Sequence, residues 1–291
     1  MGSVLVTGGT GQVGTALQRL ADGRVLVAPA RAELDLADPA SIKAIVASRP
    51  WAAVVNAGAY TAVDKAESDV VTAWTVNALA PAALAEATRA AGIPLLHVST
   101  DYVFDGSKAT PYEEGDPVAP VGVYGASKEG GEQAVRTANP RHIILRTAWV
   151  VSPDGANFVK TMLRLGADRP ELRVVADQHG CPTTASDIAR AILTILDAEG
   201  DAPWGTYHFV NAGEASWHGL AEAVFARAAT HGRPQPRVDP IATTDYPTPA
   251  RRPANSRLST ARIEAAFGIR PRPWRDAVDE VVDALLTGDK A

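Results

Sequence analysis

The stretch Val4-Leu5-Val6-Thr7-Gly8-Gly9-Thr10-Gly11-Gln12-Val13-Gly14 runs from an apolar segment through a glycine turn into a helical pattern extending from about Gln12 to Leu20. Its glycines at 8, 11 and 14 have the spacing of a dinucleotide loop. Gly8 permits the tight turn, Gly11 lets a pyrophosphate approach the backbone, and Gly14 lets helix and strand pack closely. The amides that begin the helix, Gln12 and Val13 among them, then point at the phosphates.

Working outward, further apolar runs alternate with helical patterns. Strands are expected at Arg24–Ala28, Ala53–Ala57, Leu95–Ser99 and Ile143–Arg146, and helices from Pro39 and over about Val71–Ala91. Alternation of this kind implies an α/β fold, a doubly wound Rossmann-type parallel sheet covered on both faces. After Val151 the pattern loosens. Phe158–Leu165, Ser186–Leu196 and Trp217–Ala229 read as helices, and Val174-Val175 and Tyr207–Val210 as extended. We therefore expect a dinucleotide-binding domain over 1–150, joined by a return of about 181–212 to its sheet. Residues 151–291 mainly form a smaller substrate-binding lobe. The proline-dense stretch from Arg233 to Pro253 is expected to be an ordered loop rather than a linker, because Asn255, Arg257 and Trp274 follow it.

Composition bounds the function. The chain has 291 residues, of which 46% are apolar, enough for a large core. A net charge of −5 with no basic run argues against nucleic acid as a partner. No run is expected to reach membrane-spanning length, and the single cysteine suits a reducing, cytoplasmic setting.

The chemistry is expected at the carboxyl edge of the sheet. Ser99 and Thr100 close the fourth strand there, where a hydroxyl can polarise a substrate carbonyl. Tyr124 and Lys128 follow at i and i+4, on one helix face. The ammonium is expected to lower the Tyr pKa and to bind a nicotinamide ribose, leaving Tyr124 as proton donor. The second strand ends Ala28-Pro29-Ala30-Arg31 without an acid at its tip, so Arg31 favours NADPH, while Glu33 and Asp35 leave NADH open. Asp35-Leu36 are candidates for holding the adenine. Cys181 is read as packing, since no base is positioned for it. Asp64, Glu67 and Asp69 are read as a solvated helix start, and the six histidines lack ligand spacing, so no metal is indicated.

These residues resemble the extended short-chain dehydrogenase/reductases and, within them, the dTDP-4-dehydrorhamnose reductases. The likeness covers nearly the whole chain, through Thr10–Gly14, Asn56–Glu67, Ser99–Phe104, Tyr124-Gly125, Arg146–Val150, Asn157-Phe158, Asp177–Thr183 and Arg252–Leu258. The resemblance implies reduction of the 4-keto group of a dTDP-sugar, dTDP-4-dehydro-L-rhamnose, by NADPH or NADH. It implies Thr100, Tyr124 and Lys128 as catalytic. Gly11, Gln12, Val13, Asp35, Leu36, Ala57, Gly58, Ala59 and Thr61 are implied cofactor contacts. Val63, Tyr102 and Trp149 are implied sugar contacts beside Asp101, with Trp149 suited to stacking on the sugar ring. Asn255 and Arg257 are candidates for holding thymine or diphosphate. Some members carry acids that bind Mg²⁺ at a dimer interface; Ala16 and Ser186 stand there in this chain, so a monomer or a different homodimer is expected. Two rivals remain open: a 4-ketoreductase for another dTDP-deoxysugar, and a non-catalytic NADP-binding regulatory subunit like that of methionine adenosyltransferase.

Overall fold

Consecutive residues of the first strand, β1 (Ser3–Thr7), feed two different cores, because a strand's side chains alternate between sheet faces. Val4 and Val6 join Val55, Leu96, Ile143 and Leu145 beneath the helices Gln12–Arg19 and Ala185–Leu196. Leu5 joins Val54, Leu95 and Ile144 on the opposite face, against Ile42 and Leu84. Burial on both faces is why these strands read as continuous apolar runs. The computed structural model describes residues 2–198 and 203–288.

The sheet adds β2 (Leu26–Val27), β3 (Trp51–Asn56), β4 (Leu95–Thr100), β5 (His142–Thr147) and a sixth strand, Gly205–His208. All six are parallel, in the spatial order sixth–β5–β4–β3–β1–β2. The order reverses between β1 and β3, so their carboxyl ends border the crevice where open α/β sheets bind ligands. β2 is shorter than its expected span, and the sixth strand begins and ends two residues earlier than Tyr207–Val210.

The helix Val70–Ala90 corrects one expectation. With 21 residues and a mean hydropathy of 1.2, it is long and apolar enough to span a membrane by composition alone. Its Ala80, Ala83, Leu84 and Ala85 are instead buried in the core of this domain. A π turn at Thr75–Leu79 precedes Pro81, which has no N–H to offer the Asn77 carbonyl. That carbonyl abuts Gly131 of the helix Val123–Ala138, where a Cβ would lie 2.1 Å from it.

A third core brings together Phe104, Trp149, Met162, Leu172, Cys181, Phe225 and Trp274. The proline-dense stretch is ordered. Arg237–Ile241 pairs with Glu171–Val175, and Arg252 grips both Asp64 carboxylate oxygens at 3.0 and 2.8 Å.

Candidate active site

The glycine loop has the shape its sequence suggested. Gly8 sits at φ +69°, and a Cβ on Gly14 would lie 2.2 Å from the Gly8 carbonyl. The helix beginning at Gln12 has Gly11 as its N-cap and no side-chain cap, so its first amides face the crevice unserved. Across the crevice stand Ala57, Gly58, Ala59 and Thr61, with Leu36 against Gly58. Arg31 lies beyond β2 with an exposed side chain, 3.9 Å from the Asp35 carboxylate. The cradle, bare amides and flanking cation suit a dinucleotide diphosphate.

Toward the sheet centre, Thr100 ends β4 beside Thr147 of β5. Its hydroxyl donates to Asp101 Oδ1 (3.1 Å), accepts from the Tyr102 amide (3.2 Å) and lies near the Tyr124 hydroxyl. Ser99, expected to share this role, points away: its hydroxyl is buried and donates to Glu132 (2.6 Å). Gly125 lets the helix Val123–Ala138 meet the chain at Tyr102, since a Cβ there would lie 2.1 Å from the Tyr102 carbonyl. The Tyr102 and Tyr124 rings meet edge to face, centroids 5.4 Å apart.

Burial pushes the Tyr124 hydroxyl up to about 12, against the Thr100 hydrogen bond and with help from the Asp101 charge. The expected lowering by Lys128 is absent. Lys128 is fully enclosed and donates to the Val98 carbonyl (2.7 Å), and burial brings its ammonium down to about 8. Asp101 is buried with Oδ2 unpartnered, and burial pushes its carboxyl up to about 6.

Several residues that hold this geometry escaped the sequence reading. Glu132, fully buried, receives Arg146 Nε (2.9 Å) and Nη2 (2.7 Å) and Arg136 Nη1 (2.8 Å) besides Ser99. Its spacing four residues beyond Lys128 was the available signal. Asn77 serves both backbone groups of Tyr60 and donates to Ser127. His97, kept neutral by burial and by the Lys128 charge, lies 3.5 Å from Lys128 Nζ. Its other ring nitrogen is linked through Asn56 and Thr7 to the Gly58 amide. The acidic cluster also needs correction, since each member is engaged. Asp64 holds Arg252, Glu67 accepts from the Val123 amide at the start of the helix Val123–Ala138 (2.8 Å), and Asp69 accepts from Tyr60.

Of the residues expected at the sugar, Val63 and Tyr102 are partly buried beside the Asp64–Arg252 bridge. Trp149 is buried, but its ring is stacked on Trp217 with centroids 3.5 Å apart. Asn255 donates to the Lys108 and Thr110 carbonyls, and Arg257 donates to Asn255, Glu214 and the Ala109 carbonyl. Both are tied to the 105–112 loop, which takes both amide protons of Asn255 but leaves Arg257 two of its five N–H groups. Cys181 is buried, and burial pushes its thiol up to about 11. Ala16 is buried, Ser186 partly so, and no group of three His, Cys, Asp or Glu among the described residues is placed to hold a metal.

The family model of the RmlD substrate binding domain matches residues 2–287. The chain is 46% identical to a dTDP-4-dehydrorhamnose reductase of Sinorhizobium fredii, covering 98% of both chains. A solved dTDP-4-dehydrorhamnose reductase from Clostridium acetobutylicum superposes with a TM-score of 0.92 at 36% identity, covering 97% of this chain and 99% of that one. A Bacillus anthracis enzyme of the same name, solved in complex with NADP, gives 0.91 at 32% identity over 96% and 98%.

Proposed function

This chain belongs to the dTDP-4-dehydrorhamnose reductase family, and we propose that it reduces the 4-keto group of dTDP-4-dehydro-L-rhamnose to dTDP-L-rhamnose with NADPH. The observation that carries this reading is the meeting of Tyr124 with Thr100 at the carboxyl edge of β4, on a helix that also seats Lys128. The diphosphate of the cofactor would lie on the Gly8–Gly14 loop and the first amides of the Gln12 helix. Arg31 would meet its 2′-phosphate, Asp35 and Leu36 its adenosine, and Ala57, Gly58, Ala59 and Thr61 the opposite wall. Bound there, the nicotinamide supplies the hydride.

Tyr124 holds the proton that the reduced oxygen needs. A hydroxyl kept near 12 is neutral at any working pH, so it stands ready as an acid. Thr100 orients that hydroxyl and can turn its own toward the same oxygen, stabilising the charge that grows there. Lys128, anchored to the Val98 carbonyl from the same helix, would serve the nicotinamide ribose rather than lower the Tyr124 pKa. Val63, Tyr102, Trp149 and Asp101 would border the sugar. Asn255 would act through the 105–112 loop rather than by touching the nucleotide, while Arg257 would keep two N–H groups for a diphosphate oxygen.

Oxidation of NADPH, followed by absorbance with enzymatically generated dTDP-4-dehydro-L-rhamnose, tests the proposal. Tyr124→Phe is expected to lower kcat by about 10²–10⁴-fold, the usual worth of a general acid, with NADPH affinity retained. A folded, NADPH-binding wild type that leaves this sugar untouched would move the assignment to another dTDP-4-keto sugar.

A further inference from the structure

Trp149 sits at φ +48°, in the left-handed region that bulky L-residues avoid. A strained setting persists only where the surroundings over-determine it, and here they do. Its carbonyl accepts from the Thr183 amide (3.1 Å), and Val150–Val151 pairs with Thr183–Thr184. The Trp217 ring lies parallel to it, at an interplanar angle of 10°, and so occupies one indole face. A Cβ on Gly180 would come within 2.4 Å of Trp149 Cε2, so the Gly180 backbone covers the other. A sugar ring therefore has no open face of Trp149 to stack on. What remains is the edge, whose Nε1–H makes no hydrogen bond among the described residues.

Trp217 is itself fixed from several sides. It is the first residue of the helix Trp217–Ala229, which Ser216 caps through the Gly219 amide (3.0 Å). Its Nε1 donates to Gln178 Oε1 (3.1 Å), and Gln178 donates to Thr243 (3.0 Å). Phe158 packs on it with centroids 4.8 Å apart. Asn157, which caps the Phe158 helix, also donates to Gln12 of the glycine loop (3.1 Å).

We propose that Trp217 is a positioning residue for the nucleotide-sugar. It clamps the Trp149 indole against Gly180 so that Trp149 presents its N–H edge, not its face, to a hydroxyl or phosphate oxygen of the substrate. This deepens the proposed function and rests on its placing Trp149 beside the sugar. The clamp is a specificity device: an edge donor discriminates by where the substrate places an acceptor, whereas a stacking face accepts any ring.

Contact between the two indoles is expected to couple their transitions into a far-ultraviolet circular dichroism couplet in the ligand-free protein, and Trp217→Phe is expected to remove it. Trp217→Leu is expected to raise KM for dTDP-4-dehydro-L-rhamnose about tenfold, which is about 1.4 kcal/mol. Its kcat should stay within about twofold and its Kd for NADPH unchanged, and Trp217→Phe, which keeps a flat clamp, should restore KM to within about threefold of wild type. A folded Trp217→Leu with unchanged KM overturns the proposal, as does one that loses KM, kcat and NADPH affinity together. Should Trp217→Leu not fold, Gln178→Leu weakens the clamp through the lost indole hydrogen bond: a diminished couplet with a raised KM supports it, a diminished couplet with unchanged KM overturns it. A wild type that does not turn over this sugar overturns the functional reading and the proposal with it. Turnover with a KM indifferent to Trp217 overturns the positioning role alone.

Discussion

Glu132→Gln removes one charge from the enclosed ionic cluster of the helix Val123–Ala138, and its cost can be worked from the contacts. The carboxylate accepts from Ser99, from two nitrogens of Arg146 and from Arg136. The Glu132 and Arg146 side chains are 0% and 3% exposed. Taking the anion from such a pair leaves a buried guanidinium uncompensated, which costs about 3–5 kcal/mol. The Arg136 contact, an i,i+4 pair with an outer side chain 29% exposed, adds only about 0.3–0.5 kcal/mol. A loss of about 4 kcal/mol is therefore expected, a large share of the roughly 5–15 kcal/mol that a folded protein commands. Urea denaturation should report it directly, and the thermal midpoint should fall by roughly 10 °C for a chain of this size. Because the same cluster holds the helix that seats Lys128, kcat should fall as well. The partner experiment is Glu132→Leu with Arg146→Met. Replacing both ions by apolar groups removes the uncompensated charge, so the double variant should be more stable than Glu132→Leu alone. A cost for Glu132→Gln below about 1 kcal/mol, or a double variant as damaged as the sum of its parts, would refute the assignment of this cluster as the helix anchor.

Other predictions concern titration and cofactor choice. Asp101 holds its proton more tightly folded than unfolded, so its carboxyl favours the native state at low pH and costs stability as pH rises through about 6. Asp101→Asn should accordingly be about 2–3 kcal/mol more stable than wild type at pH 8 by urea denaturation, with the gap closing toward pH 4, and less active throughout. Lys128 loses its charge near 8, so kcat/KM, which reports the free enzyme, should decline above that pH, and a Lys128→Met profile should be low and lack that limb. Arg31→Ala should weaken NADPH binding about 10–100-fold by isothermal titration, the worth of a charge-assisted contact to a phosphate, with NADH scarcely affected. Equal losses for both cofactors would remove Arg31 from the 2′-phosphate.

What the sequence revealed follows the range over which its signals act. The Gly8–Gly14 loop was legible because turn, helix start and close packing are all decided within a few residues. The two-faced sheet was legible because Val4-Leu5-Val6 and Ile143-Ile144-Leu145 are apolar at every position, a pattern that only burial on both sides requires. Tyr124 and Lys128 do share a helix face, but sharing a face does not fix where a four-carbon stem ends. Lys128 reaches the Val98 carbonyl on the neighbouring strand, and no helical spacing contains that partner.

The same limit separates Ser99 from Thr100, two adjacent hydroxyls that composition treats alike. Alternation sends one toward Glu132 and the other toward Tyr124, yet which goes where depends on how β4 sits over the helix Val123–Ala138. Asn255 is engaged elsewhere for a related reason. Its chemistry suits a nucleotide, but the backbone carbonyls of Lys108 and Thr110 arrive first, brought from some 145 residues away by the fold. Trp149 is the sharpest case. A tryptophan just beyond a strand edge is a natural sugar platform until its φ of +48° and the Trp217 ring turn both faces inward. A side chain's chemistry is local and readable; whether its donors and faces remain free is a property of the tertiary contacts. A site read from sequence therefore names the right neighbourhood more dependably than the right atoms.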